Sequence, residues 1–242
     1  MRGDEAPAPA VTVPEKQPTA AAGRSRTEGE VLKLLRRSDL PQEAFEEIVQ
    51  NRALRRFHVV RRALAGHPRT PRREALSLVS TLFWRDLAQL SADVRVHPEI
   101  RRASERDLLR RLPEMALAER IDLARSAGRG LILVLRFDTD PRVVAAFLDN
   151  RFTTEPDVVQ AASRPESEPP GLESIAAHPR WTLRPGVRGA LLRNPSLPTA
   201  AALSLLTGAR ARELRDLLES PGLSRILRAC AERVLAERGS EV

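Results

Sequence analysis

The stretch RRALAGHPRTPRREALSL, residues 61–78, decides the fold of this chain because it recurs as RGALLRNPSLPTAAALSL at residues 188–205. In both copies a helix pattern ends, the chain turns through Pro-x-x-Pro, and a second helix pattern begins. Laying residues 61–110 over residues 188–237 without gaps, at an offset of 127, gives 16 identities in 50 columns. An internal duplication of this kind is the sequence signature of a repeat architecture.

The prolines of the two copies mark where helices stop and start. The residue before Pro68 or Pro195 is pushed out of the α region, so the preceding helix ends there. Pro71 and Pro198 would lie in the first turn of the next helix, where the missing N–H costs nothing. Elsewhere the apolar residues recur with the helical period and show no alternating strand pattern. The sequence therefore predicts an all-α fold.

Weaker copies of the pattern lie between the two strong ones. Leu64, Leu109, Phe147 and Leu191 occupy matching places and are 45, 38 and 44 residues apart. A period near forty with two helices per unit is the spacing of HEAT and armadillo-type repeats.

The motif of a helix, [His/Asn]-Pro-x-x-Pro and Ala-Leu-x-Leu resembles the bacterial HEAT-like and leucine-rich-repeat-variant solenoids of the armadillo-type superhelix. The resemblance covers about residues 31–238. It implies a right-handed α-solenoid of about five two-helix repeats. Members of this class serve as protein-binding scaffolds, as regulators and in a few cases as nucleic-acid enzymes, so the resemblance alone does not fix a function.

Two regions divide the chain of 242 residues. Residues 1–29 carry four prolines and almost no large apolar side chains, so they cannot offset the entropy of ordering and are predicted to be a disordered tail. Residues 30–242 are predicted to form the repeat domain. The predicted helices are 30–37, 41–50, 52–66, 71–91, 98–112, 114–127, 130–137, 141–150, 154–163, 171–178, 183–193, 198–208, 210–219 and 222–238.

Positive charge is concentrated in one segment of the chain. The formal net charge is +8, and residues 30–130 account for +7 of it, with 21 basic and 14 acidic residues. No acidic residue lies between Glu47 and Glu74. The eight arginines in that interval form the candidate binding surface: Arg52, Arg55, Arg56, Arg61, Arg62, Arg69, Arg72 and Arg73.

This charge belongs to the first copy of the repeat only. At the positions of its last three arginines the second copy has Ser196, Thr199 and Ala200. The arginines could neutralise phosphates, meet an acidic protein surface, or simply be solvated. A helical wheel groups Phe57 with the apolar side of its helix, and Phe83 also lies in apolar periodicity, so both are predicted to be core residues. Without stacking aromatics, duplex or backbone binding is favoured over single-stranded nucleic acid.

Few residues have the pattern of a catalytic or metal site. Cys230 lies in apolar periodicity and is predicted to be a small core residue. His67, His97 and His178 each precede a proline at a helix boundary, where a capping side chain suffices, and lack the close spacing of metal ligands. We therefore predict no catalytic residues, no metal and no cofactor.

The tetrapeptide Phe83-Trp84-Arg85-Asp86 raises one enzyme hypothesis. HEAT-like alkylpurine DNA glycosylases use aromatic residues with an acidic residue on the concave surface, and the similarity here is in residue type only. The competing interpretation is that Trp84 fills space beside helix 98–112, while Arg85 and Asp86 pair with each other at the surface.

Three functions therefore stay open. A non-catalytic scaffold for protein–protein interaction, with an acidic protein surface as one candidate partner, is favoured by the elongated array. The first alternative is nucleic-acid binding through the Arg52–Arg73 surface, and the second is a HEAT-like alkylpurine DNA glycosylase. The sequence has no apolar stretch of the roughly 18 residues that a membrane span needs. Acidic residues near the N-terminus argue against a secretory signal, so no membrane association and a cytoplasmic location are predicted.

Overall fold

The computed structural model describes residues 27–37 and 39–239, so residues 1–26 of the predicted tail lie outside the described residues. The described residues form fifteen α-helices and two short 3-10 helices, without a β-strand, which confirms the all-α prediction. The α-helices are α1 (Glu28–Leu35), α2 (Gln42–Gln50), α3 (His58–Gly66), α4 (Arg72–Val79), α5 (Trp84–Ala92), α6 (Pro98–Arg111), α7 (Leu117–Ser126), α8 (Arg129–Leu135), α9 (Pro141–Leu148), α10 (Glu155–Ser163), α11 (Pro169–Ala177), α12 (Pro185–Arg193), α13 (Thr199–Gly208), α14 (Ala211–Glu219) and α15 (Arg225–Gly239). The 3-10 helices are η1 (Leu54–Arg56) and η2 (Leu112–Glu114).

Two of the predicted helices are broken in the structure. The predicted helix 71–91 is α4 followed by α5, and the predicted helix 52–66 is η1 followed by α3. Phe57 and Phe83 stand at the breaks with extended backbone, at ψ angles of 123° and 155°. Extended backbone turns each side chain out of the helical face, so Phe57 is 39% and Phe83 is 64% exposed. The prediction that both are core residues is wrong.

Alternate helices pack against each other at several places along the chain. The principal helix contacts join elements that are one or two helices apart along the chain, as between α7 and α9 or between α10 and α12. We call α1, α3 and the other odd-numbered helices the odd row, and the even-numbered helices the even row. Successive helices of a row begin 24 to 33 residues apart, which is closer than the predicted period near forty. The described residues hold seven successive helix pairs and a final helix, against about five predicted repeats.

The helices of the two sequence copies begin at matching positions. Helices α3 to α6 begin at residues 58, 72, 84 and 98, and α12 to α15 begin at residues 185, 199, 211 and 225. Every pair is separated by the offset found in the sequence. Because α3 lies in the odd row and α12 in the even row, the duplicated segment occupies opposite rows in its two copies.

A recurring polar turn follows five of the helices. In each, a side chain at the helix end accepts the backbone N–H two residues later, while its carbonyl accepts the N–H three residues later. These side chains belong to His67, Asp93, Asn150, His178 and Asn194. The residue three positions later is buried in every case, as Trp181 is after His178. His97 accepts the N–H of Glu99 at the start of α6. His97 thus caps a helix, while His67 and His178 accept N–H groups of the turns that follow α3 and α11.

Buried amide side chains connect helix ends within each row. Asn150 Nδ2 donates to the Ala124 carbonyl of α7 at 2.7 Å, and Asn194 Nδ2 donates to the Ala162 carbonyl of α10 at 2.7 Å. The last carbonyls of a helix have no partner within that helix. These bonds therefore satisfy open acceptors and fix how far one helix is shifted along the next.

Candidate functional site

Three of the eight predicted arginines are paired with carboxylates from outside the acid-free segment. Arg55 lies 3.1 Å from Glu74 of α4. Arg62 lies 3.1 Å from Asp86 of α5, and Arg72 lies 3.7 Å from Glu99 of α6. The fold thus supplies the counter-charges that are missing between Glu47 and Glu74 in the sequence. These three guanidinium groups help to join neighbouring helices.

Two more of these arginines bind backbone carbonyls. Arg61 Nη1 donates to the carbonyls of Arg55 and Arg56, each at 3.1 Å. Arg69 donates to the Leu40 carbonyl at 2.6 Å, and its guanidinium lies 4.8 Å from the ring centre of Phe45. Both side chains therefore stabilise turns of the fold.

Arg52, Arg56 and Arg73 complete the set. They are exposed, and their side chains have no hydrogen bond or ion pair within residues 27–37 and 39–239. Arg102 and Arg106 of α6 are also exposed, and their side chains have no partner among the described residues. Neither belongs to the predicted surface. Their spacing of four residues puts them on one face of a helix, which is the sequence signal that could have added them.

A charged cluster joins the starts of α3 and α5. His58 Nε2 lies 2.5 Å from Asp86 Oδ2, and Arg62 Nε lies 3.1 Å from Asp86 Oδ1. Arg61 Nη2 lies 3.5 Å from His58 Nδ1. Arginine can only donate, so Nδ1 accepts and Nε2 carries the proton that is donated to Asp86. Both ring nitrogens and both oxygens of a carboxylate that is 14% exposed are thus already engaged.

The second copy shows why this cluster contains a histidine. Arg188 binds Glu213 there through Nε at 3.0 Å and Nη2 at 2.7 Å. Arg61 and Asp86 occupy the corresponding positions of the first copy, but aspartate is one methylene shorter. His58 of α3 binds the shorter carboxylate instead, while the buried Nε of Arg61 has no hydrogen-bond partner in the described part of the chain. The cluster therefore stabilises the fold and leaves Asp86 without a free oxygen for acid–base chemistry.

Trp84 is hydrogen-bonded to α7. Its Nε1 donates to Glu119 Oε1 at 3.0 Å, and the Arg85 guanidinium lies 5.0 Å from the ring centre. Arg85 Nη2 also lies 3.1 Å from Asp122 Oδ2. The predicted pairing of Arg85 with Asp86 is therefore wrong, because each of them pairs with a different neighbouring helix.

A groove runs along the odd row. It consists of two cavities, of about 660 Å³ and about 430 Å³, which meet at Asp93. Helices α1, α3, α5 and α7 and the loop after α9 line it, and we call it the odd-row groove. Small side chains form much of its floor: Ala63, Gly66, Ala88, Ala92 and Ser126. Its charged residues are Arg36, Arg62, Arg85, Arg95, Arg151, Asp93 and Asp122.

The groove carries more positive than negative charge. Asp93 stays ionised, because hydrogen bonds from the guanidinium and the N–H of Arg95 lower its pKa to about 2. Asp122 is paired with Arg85. Arg36 and Arg151, which line opposite ends of the groove, have no carboxylate partner among the described residues. These two guanidinium groups are open to an anionic ligand.

Other kinds of site have no counterpart in the described residues. They contain no cluster of three or more His, Cys, Asp and Glu side chains that could hold a metal ion. None of their helices is both long enough and apolar enough to cross a bilayer. Cys230 is partly buried and packs against the core.

None of the protein-family models, curated proteins or solved structures compared with this chain is significantly similar to it.

Proposed function

We propose that this chain is a non-catalytic scaffold, a HEAT- or armadillo-like α-solenoid, that binds an acidic segment of a partner protein in the odd-row groove. One observation carries the proposal: five arginines and only two aspartates line a groove whose floor is built from small side chains. A floor of alanine and glycine leaves room for a peptide to lie close to the helices.

The solenoid part of the proposal is supported by the helix contacts. In a solenoid each unit packs only against its neighbours, so contacts stay local along the chain. The principal contacts here join helices one or two apart. The right-handed superhelix and the cytoplasmic location stay predictions from the sequence.

The acidic partner is favoured by the chemistry of the open arginines. A guanidinium is a planar fork of donors that matches a carboxylate in a bidentate geometry. Arg36 and Arg151 are exposed, and neither has to break an existing ion pair in order to bind a carboxylate of the partner. Carboxylates spaced along an extended segment could therefore reach both ends of the groove.

Fluorescence anisotropy of a labelled peptide of alternating Glu and Leu residues tests this proposal on the full chain. We expect saturable binding that weakens as salt screens the charges. Arg36→Glu and Arg151→Glu should each raise the Kd by about tenfold or more, because they replace an attraction with a repulsion.

Arg184→Glu is the matched control, because Arg184 is exposed, has no partner among the described residues and lies outside the groove. It should leave the Kd unchanged. Equal binding of a peptide with Lys in place of Glu, or no response to the two groove substitutions, would contradict the proposal.

A further inference from the structure

We infer that the edge where α3 and α5 begin is a separate binding surface for single-stranded nucleic acid. Phe57 and Phe83 are the N-cap residues of these two helices, and both side chains are exposed, at 39% and 64%. Exposed apolar side chains that lie close together are typical of interaction surfaces. This surface does not depend on the odd-row groove or on its proposed partner.

His58 and Phe83 make a ring contact between the two helix starts, and Phe57 precedes His58; we call these three residues the aromatic platform. The ring centre of His58 lies 4.2 Å from that of Phe83, with an interplanar angle of 35°. Phe57 directly precedes His58 in the chain. Because Asp86 of α5 binds the imidazole of His58, the rings of His58 and Phe83 are kept in a fixed relation to each other. A preorganised platform binds without a large ordering cost.

Two exposed arginines precede Phe57 in the chain. Arg52 and Arg56 are exposed, and their side chains have no partner within the described residues. The nearby carboxylates of Glu74 and Asp86 are already neutralised by Arg55 and by the His58 cluster. The two free guanidinium groups can therefore bind phosphates without competition from neighbouring acids.

Open aromatic faces favour a single strand over a duplex. Unpaired bases stack on exposed aromatic rings, while the bases of a duplex are already stacked on each other. Arginines alone would fit either form through its phosphates. Phe57 and Phe83 therefore decide between the two, and they favour the single strand.

The second copy of the repeat provides a natural control. Arg184 and Arg210 stand at the positions of Phe57 and Phe83, and Pro185 stands at the position of His58. That part of the chain has exposed positive charge without aromatic rings. It should therefore contribute little to the binding of single strands.

Fluorescence anisotropy of labelled oligothymidylate with the full chain, measured over a range of salt concentrations, tests this inference. We expect binding that weakens with salt, and a duplex of the same length should bind more weakly. Phe57→Ala and Phe83→Ala should each raise the Kd by about tenfold. Combined Arg52→Glu and Arg56→Glu should weaken binding and flatten its salt dependence.

The controls are Arg184→Ala with Arg210→Ala, which remove the exposed charges of the second copy and should leave the Kd close to that of the unaltered chain. Both phenylalanines are exposed, so their variants should fold, and circular dichroism checks this. Equal affinity for duplex and single strand, or alanine variants of Phe57 and Phe83 that bind normally, would overturn the inference. So would binding of the Glu-Leu peptide that these alanine variants abolish, since it would assign the platform to a protein partner.

Discussion

At the scale of single residues, Asp157 shows how this protein uses its arginines. The carboxylate is buried at the start of α10 and accepts hydrogen bonds from Arg129, Arg136 and Thr154. Burial acts to raise its pKa, but the hydrogen bonds from Arg129 and Thr154 outweigh it and hold the pKa below the usual value. The ion pairs join α8 to α10. The arginines that pair with Asp157 therefore stabilise the fold and do not indicate a binding site.

We expect Asp157→Asn to lower the free energy of unfolding by about 3 kcal/mol at neutral pH, because it leaves the largely buried guanidinium of Arg136 without its counter-charge. A depressed pKa in the folded state stabilises the fold above the unfolded-state pKa of about 3.9. The contribution is lost as the pH falls through the folded-state value. The difference between the two proteins should therefore shrink below about pH 4.

Urea unfolding at several pH values measures this difference. Asp216→Asn is the control, because Asp216 is an exposed aspartate whose side chain has no partner among the described residues, and it should change stability by less than about 0.5 kcal/mol. A difference between Asp157→Asn and the unaltered chain that stays constant down to pH 2 would contradict the assigned role.

At the scale of helices and turns, the starts of α6 and α9 were predictable and the break between α4 and α5 was not. The predicted starts of α6 and α9, at residues 98 and 141, agree with the structure because proline fixes the first turn. The break between α4 and α5 contains neither proline nor glycine. Arg111 of α6 donates to the carbonyls of Leu82 at 2.9 Å and Ser80 at 3.1 Å there. Arg111 therefore stabilises the break from a distant part of the chain, and the local sequence between α4 and α5 does not indicate the break.

The hydrogen bonds of the Asn150 side chain predict that its loss lowers the stability of the fold. Asn150 Nδ2 donates to the carbonyls of Ala124 and Ala127, and its Oδ1 accepts the N–H of Phe152. Asn150→Ala removes all three bonds and leaves buried polar groups unpaired, so we expect a loss of about 2–4 kcal/mol in the free energy of unfolding.

Thermal and urea unfolding of Asn150→Ala measure this loss. Gln160→Ala is the control, because Gln160 lies exposed on α10, and it should be nearly neutral. If both substitutions had the same small effect, the Asn150 amide would not be what connects α9 to α7.

At the scale of the whole molecule, the sequence predicted the all-helical fold, and the period near forty stays a prediction. The matched copies are nine helices apart, so α3 and α12 lie in opposite rows. The two copies share a pattern of helix and turn, while the period near forty rested on the weaker matches at Leu109 and Phe147. Alternate helices begin 24 to 33 residues apart.

The candidate site was predicted only in part for a similar reason. Charge along the chain identified the arginine-rich segment, but the carboxylates that neutralise Arg55, Arg62 and Arg72 come from other helices. Sequence reasoning could not assign Arg36 and Arg151 to one groove, because they are far apart in the chain. Only the packing of the helices between them makes both line the same groove.

The central claim is that the odd-row groove is the ligand-binding face of an open helical array. Hydrogen–deuterium exchange of the full chain, with and without a saturating amount of the Glu-Leu peptide, tests it most directly. We expect slower exchange in α1, α3, α5 and α7, which line the groove, and unchanged exchange in α12 to α15. Protection confined to α12 to α15, or no protection anywhere when the peptide is bound, would contradict the account.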